Sequence, residues 1–110
     1  MLRQGVIDNS PKAPLIMGFE LAGEIEVVGE GVTGFRVGDR VSALTDSKAW
    51  SELVNVPVKF VYKLPAKISF QDAVGITLNY VVAYALLFDV GNLKSGQTVL
   101  AHSIGGGVVR

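Results

Sequence analysis

From Leu21 the chain alternates: Leu21, Gly23, Ile25 and Val27 fall on one side, and Ala22, Glu24, Glu26 and Val28 on the other. A period of two marks a strand with one face in a core. The pattern predicts a first strand over 21–28, ended by Gly29-Glu30-Gly31 and followed by a loop punctuated by Gly34 and Gly38. Arg40–Leu44 predicts a second strand, entered from a Gly38-Asp39 turn. Trp50–Val56 predicts a third after the polar turn Thr45–Lys48, and Phe60-Val61-Tyr62 a short fourth between the stops Pro57 and Pro65. Upstream, residues 1–18 read as a loop broken by Pro11, Pro14 and Gly18. Several short strands at this spacing suggest a sandwich or a barrel.

Past residue 68 the character of the chain changes. Ser69, with Asp72 three positions on, resembles a capping box, in which side chains satisfy the free N–H groups of a helix start. Two helical stretches are predicted, broken near Gly75 or Asn79, with Gly91 stopping the second. The uncharged run Ala73–Phe88 is sixteen residues long. A membrane span needs about 20 mostly apolar residues, so a buried helix is expected rather than a span. Lys94–Gln97 predicts a turn, and Thr98–Ala101 a buried strand that leads into Ser103-Ile104-Gly105-Gly106-Gly107. A strand running into a glycine-rich turn is how a dinucleotide-binding βαβ unit opens. No internal repeat or low-complexity tract interrupts this order.

Composition narrows the chemistry. Ten basic and ten acidic residues cancel over 110 positions without forming a block, so no basic face for nucleic acid is expected. Hydrophobic residues make up 49% and charged residues 18%, below the quarter or so usual for a domain. That shortage suggests that part of the chain is the interior of something larger. Met1-Leu2-Arg3-Gln4-Gly5 leads into polar residues with no apolar core, unlike a signal peptide. Cysteine is absent, which excludes disulfides, thiolate zinc sites and a cysteine nucleophile.

Individual candidates read as follows. Gly105-Gly106-Gly107 lets the backbone approach a pyrophosphate closely, and equally suits a plain flexible turn. His102 is the sole histidine, with no carboxylate cluster near it in sequence, so it is expected to make a strand-end hydrogen bond and not to bind metal. Glu20, between Phe19 and Leu21, suits a structural hydrogen bond better than catalysis. Ser103 lacks the glycine two places before it that a hydrolase nucleophile requires.

Pro14-Leu15-Ile16-Met17-Gly18-Phe19-Glu20-Leu21-Ala22-Gly23, continued by Val28-Gly29-Glu30-Gly31-Val32 and Gly38-Asp39-Arg40-Val41, closely resembles the quinone oxidoreductase pattern of the medium-chain dehydrogenase/reductase superfamily. Leu78-Asn79-Tyr80, Ala83-Tyr84, Leu87-Phe88-Asp89 and Gly91-Asn92-Leu93 look like its synaptic vesicle membrane protein, or vesicle amine transport protein, subgroup. The likeness runs from residue 1 to about 108, and the chain resembles an internal fragment.

The resemblance implies a mixed α/β fold. Residues 1–68 would belong to a GroES-like barrel lacking its opening strands. Residues 69–110 would supply linking helices and the first strand of a truncated Rossmann domain. It implies NADPH as cofactor, with Asn79 and Tyr80 near the nicotinamide, or else engaged only in helix packing. Ser103, Gly105, Gly106, Gly107 and Val108 would face the pyrophosphate. Zinc-dependent members carry histidine where this chain has Phe19, so no metal is expected. Substrates would be quinones or enones, the parent a homodimer, and the location cytoplasmic, with peripheral association on vesicles or mitochondrial outer membranes.

Two departures stand out. Val109 replaces the last glycine of the family turn, and Val82 replaces a threonine two residues before Tyr84. Taken alone, the 110 residues are expected to be catalytically inactive. The readings in play are a piece of an NADPH-dependent reductase, a non-catalytic trafficking protein built on that fold, and a chain that does not fold stably by itself because its barrel edges are unpaired.

Overall fold

The computed structural model describes residues 12–109. The expected loop over 1–11, including Pro11, and Arg110 lie outside the described residues. The centre of the fold is a three-stranded antiparallel sheet of β1 (Glu20–Glu24), β2 (Arg40–Leu44) and β3 (Val61–Lys63), in that order. Glu20 pairs with Leu44 and Glu24 with Arg40, while Val41 pairs with Lys63 and Ala43 with Val61.

Strand β2 has the boundaries that its pattern predicts. Val41, Ser42 and Ala43 are all buried. Successive residues of a strand point to opposite faces, so this central strand is covered on both. On one side the cover is the helix α1, Phe70–Tyr84. Its Thr77 hydroxyl lies 3.1 Å from the Ser42 hydroxyl and donates to the Ala73 carbonyl at 2.7 Å. Ser42, 2% exposed, is thereby satisfied where an unpaired hydroxyl would be costly.

Strand β1 ends at Glu24 and not at Val28. Ile25 still donates to the Asp39 carbonyl (3.0 Å) and accepts from Gly38 (2.8 Å). Beyond it β2 has no further residue to offer, and Val27 turns out to solvent. The strand expected over Trp50–Val56 does not form. Lys48, Ala49 and Trp50 instead donate to the carbonyls of Ile16, Gly18 and Met17 at 2.9–3.1 Å, tying this stretch to a loop, and the Trp50 side chain is 70% exposed. The fourth predicted strand is displaced by one residue to Val61–Lys63, behind a 3-10 turn over Val58–Phe60.

Arg40 joins sheet to helix. Its guanidinium donates to the carbonyls of Pro65 (3.4 Å), Ala66 (3.0 Å) and Ile68 (2.7 Å), and lies 4.5 Å from the centre of the Phe70 ring. The fork of guanidinium donors suits several carbonyls at once. It fixes the path of 65–70 and hence the place where α1 starts. Ser69 caps that start as expected: its hydroxyl accepts from the Asp72 amide (3.1 Å) and donates to the Asp72 carboxylate (2.6 Å).

The break expected near Gly75 or Asn79 is absent. The helix runs through both and widens into a π-helical stretch over Ala85–Val90, with Gly91 at its end. The Asn79 amide explains part of this continuity. Asparagine disfavours helices by competing for backbone groups, but here it donates to the Gly75 carbonyl one turn back, at 2.8 Å. The expected burial of this helix is also corrected. Only Ala73 is buried, while Tyr80, Val81, Tyr84, Leu86, Phe88 and Val90 are exposed. Asp72 and Asp89 fall inside the helical segment, and the whole Phe70–Val90 stretch, 21 residues, is long and apolar enough to cross a membrane.

Thr98–Ala101 forms no strand, and Leu100 is 81% exposed. An apolar strand of this kind needs neighbours on its edges and cover on its faces. Among the described residues no strand lies beside it.

Candidate functional site

The glycine-rich stretch folds into two successive tight turns. The Gly106 amide donates to the Ser103 carbonyl (3.1 Å), and the Val109 amide to the Gly106 carbonyl (3.2 Å). Ser103 enters with φ +60°, a left-handed conformation that a non-glycine residue rarely adopts. The amides of Gly105, Gly107 and Val108 make no hydrogen bond among the described residues. Backbone N–H groups without an internal partner, gathered in one turn, are the ingredients of an anion site.

Helix α1 lies directly against this turn. A β-carbon at position 107 would sit 2.5 Å from Asn79 Nδ2, 2.7 Å from its Cγ and 2.9 Å from its Oδ1. Such separations are far inside van der Waals contact, so only glycine fits there while Asn79 keeps its place. A carbonyl can only accept, so the bond to Gly75 assigns Nδ2 to that side of the amide. Asn79 and Gly107, 28 positions apart, therefore form one local unit.

Tyr80 stands elsewhere. Adjacent helix residues are about 100° apart around the axis. Tyr80 lines a shallow groove of about 370 Å³ with Thr77, Val81, Tyr84, Ala85 and Asp89. The Tyr84 and Phe88 rings pack beside it, 4.9 Å between centres. Asn79 thus meets the glycine turn, while Tyr80 faces an aromatic-rimmed groove on another flank. Val82, half-buried, offers no hydroxyl to either.

The Phe19-Glu20 pair opens β1. Phe19 is half exposed, and the Glu20 Oε2 atom is buried without a hydrogen-bond partner among the described residues. His102 is exposed in the segment before the turn. No group of three His, Cys, Asp or Glu side chains converges among the described residues. Asp39 carries the most organised charge. Lys63 Nζ lies 2.7 Å from one of its oxygens, and Arg36 contributes its backbone amide (3.0 Å) and Nε (3.3 Å). The Lys63 ammonium above all, then the Arg36 amide, holds the Asp39 carboxyl below the usual carboxylate value. Pattern reading missed both this cluster and the Arg40 clasp, although Gly38-Asp39-Arg40-Val41 carries each of them.

Residues 1–66 match the alcohol dehydrogenase GroES-like domain. The chain belongs to that family. The human synaptic vesicle membrane protein VAT-1 homolog-like is 52% identical over 98% of this chain, which spans 26% of that relative's length. The crystal structure of a human VAT-1 homolog-like protein superposes with a TM-score of 0.95 at 51% identity, over 99% of this chain and 35% of that one. A quinone oxidoreductase from Pseudomonas syringae pv. Tomato DC3000 superposes at TM-score 0.85 and 36% identity (97% and 33% covered). A mycobacterial protein solved with NADPH does so at 0.84 and 33% (92% and 32%). The expected fold class holds: a small GroES-like sheet with its following helix, corresponding to about a third of the dehydrogenase/reductase structures it resembles. The relatives are VAT-1 homologues and quinone-oxidoreductase-type proteins.

Proposed function

We propose that this chain is part of an NADPH-dependent, zinc-independent oxidoreductase acting on quinones or activated alkenes, with a single observation carrying the reading. The amides of Gly105, Gly107 and Val108, without a hydrogen bond among the described residues, lie on a turn that packs against α1 so closely that a β-carbon at position 107 would displace the Asn79 amide. That arrangement fits a dinucleotide pyrophosphate, whose oxygens would accept from these N–H groups. The mycobacterial neighbour solved with NADPH supports the choice of cofactor. NADPH would supply the hydride, while the protein contributes binding and orientation.

Residue roles follow from position. Ser103 and Gly105–Val108 would hold the pyrophosphate. Tyr80, with its hydroxyl-bearing neighbour Thr77, would line the path to the nicotinamide or the substrate. Phe19 beside Glu20, in a chain without cysteine, supports a metal-free reaction. In this reading the parent protein is a cytoplasmic homodimer. The test is NADPH oxidation with a simple quinone or enone, followed by absorbance, in the chain extended through a complete dinucleotide-binding half. Turnover that disappears when NADPH is omitted supports the proposal. A folded extended chain with no turnover on either substrate class defeats it.

The exposed apolar helix favours a second reading. Phe70–Val90 leaves most of its large side chains uncovered, and the relatives are named synaptic vesicle membrane proteins. In this reading the chain is a non-catalytic, peripheral partner of vesicle or mitochondrial outer membranes. Co-sedimentation with phosphatidylcholine–phosphatidylserine vesicles tests it, and a chain that stays wholly in the supernatant removes it.

A further inference from the structure

We infer that Asn79 is a positioning residue for the glycine-rich turn. Two observations converge. The Asn79 amide is fixed at one end by its 2.8 Å bond to the Gly75 carbonyl, within a continuous helix. The same amide group presents all three of its outer atoms to Gly107, within 2.5–2.9 Å of where a β-carbon would stand. One of the two Nδ2 hydrogens is taken up by Gly75, which holds the amide plane in place against the turn.

The consequence concerns which glycine does what. In the general dinucleotide fingerprint, the last glycine permits close packing of helix on strand. That position is Val109 here. The close approach is made instead at Gly107, against a side chain of α1 and not against the helix that would follow the turn. Gly107 is therefore required by Asn79, whereas the amides of Gly105 and Val108, unbonded among the described residues, stay available to an anion. Asn79 sets the shape of the turn that the proposed pyrophosphate would meet, so its role in cofactor affinity rests on the oxidoreductase reading. The contact itself does not.

Nuclear magnetic resonance on the chain separates the two, using Asn79→Ala, Asn79→Asp, Gly107→Ala and the Asn79→Ala/Gly107→Ala pair. Alanine is the best helix former and spares α1, while aspartate keeps the shape but loses the donor to Gly75. Without cofactor, Asn79→Ala and Asn79→Asp are expected to shift the Gly105–Val108 amide signals and raise their mobility, with β1–β3 signals unmoved. Gly107→Ala is expected to shift the Asn79 side-chain amide. In NADPH titrations of the chain extended through a complete dinucleotide-binding half, each single substitution weakens binding about tenfold, within the usual range for coupled contacting residues, and the double variant is no weaker than the worse single one.

Unchanged turn signals in both Asn79 variants overturn the inference. So does weaker NADPH binding beside an unaltered apo turn, because that pattern marks a direct cofactor contact. If NADPH moves no signal of the unsubstituted extended chain, the dinucleotide reading fails, while the apo spectra still decide whether Asn79 holds the turn.

Discussion

Replacing Thr77 by valine should destabilise the chain more than replacing Ser42 by alanine, although the two hydroxyls face each other. Ser42 is 2% exposed and its Oγ has one partner, Thr77 Oγ1, at 3.1 Å. Thr77 has a second partner, the Ala73 carbonyl at 2.7 Å. Ser42→Ala therefore removes one hydrogen bond and strands nothing, a net loss of about 0.5–1.5 kcal/mol. Thr77→Val keeps the shape but leaves the Ser42 hydroxyl buried and unpaired, costing about 1–3 kcal/mol. Making both changes replaces the pair by apolar groups of similar form, which is close to neutral. Adding Ser42→Ala to Thr77→Val should thus restore stability. At roughly 4–8 °C per kcal/mol for a domain near this size, the order of melting temperatures is readable by circular dichroism. A double variant destabilised by the sum of the singles would show that the hydroxyls are uncoupled and that Ser42 finds another partner.

Arg40→Lys should lose about 1–2 kcal/mol, because a point charge cannot serve three carbonyls at once. Hydrogen exchange of the Ala73 amide, which donates to Ser69, should quicken as the start of α1 loosens. Gly18→Ala should lose about 2 kcal/mol or more: the residue sits at φ +94° and a β-carbon would meet the Trp50 amide nitrogen at 2.8 Å. Trp50 fluorescence reports the displaced segment, and an unchanged spectrum and melting point would refute the clash. Asp39 sets an acid limit. Its folded-state value lies below the ordinary 3.8, so its ion pairs stabilise fully above that pH and are lost as pH falls through the depressed value. Asp39→Asn should flatten the stability profile below pH 3.8, and an unaltered profile would assign acid unfolding to other groups.

What the sequence discloses is mostly local. The bounds of β2, the Ser69 cap and the stop at Gly91 depend on neighbours within a few positions, and pattern reading finds them. It fails where a partner decides. Trp50–Val56 alternates well enough for a strand, but its backbone finds a loop at 16–18. Val28 belongs to the pattern of β1 but has no partner across the ladder. The clasp from Arg40 to Ile68, the Ser42–Thr77 pair and the Asn79–Gly107 contact each join residues tens of positions apart. No periodicity encodes those distances. Asn79 was legible as a candidate through family resemblance alone; its place against Gly107 and apart from Tyr80 required the fold.

If the turn at Gly105–Val108 is a dinucleotide site, it binds NADPH once the rest of that half is present. Fluorescence titration of NADPH, on the chain and on a form extended through a complete dinucleotide-binding half, tests it most directly. Saturable binding by the extended form is expected, weakened when Gly107 is replaced by alanine. No binding by a well-folded extended form, or binding indifferent to Gly107→Ala, would contradict it.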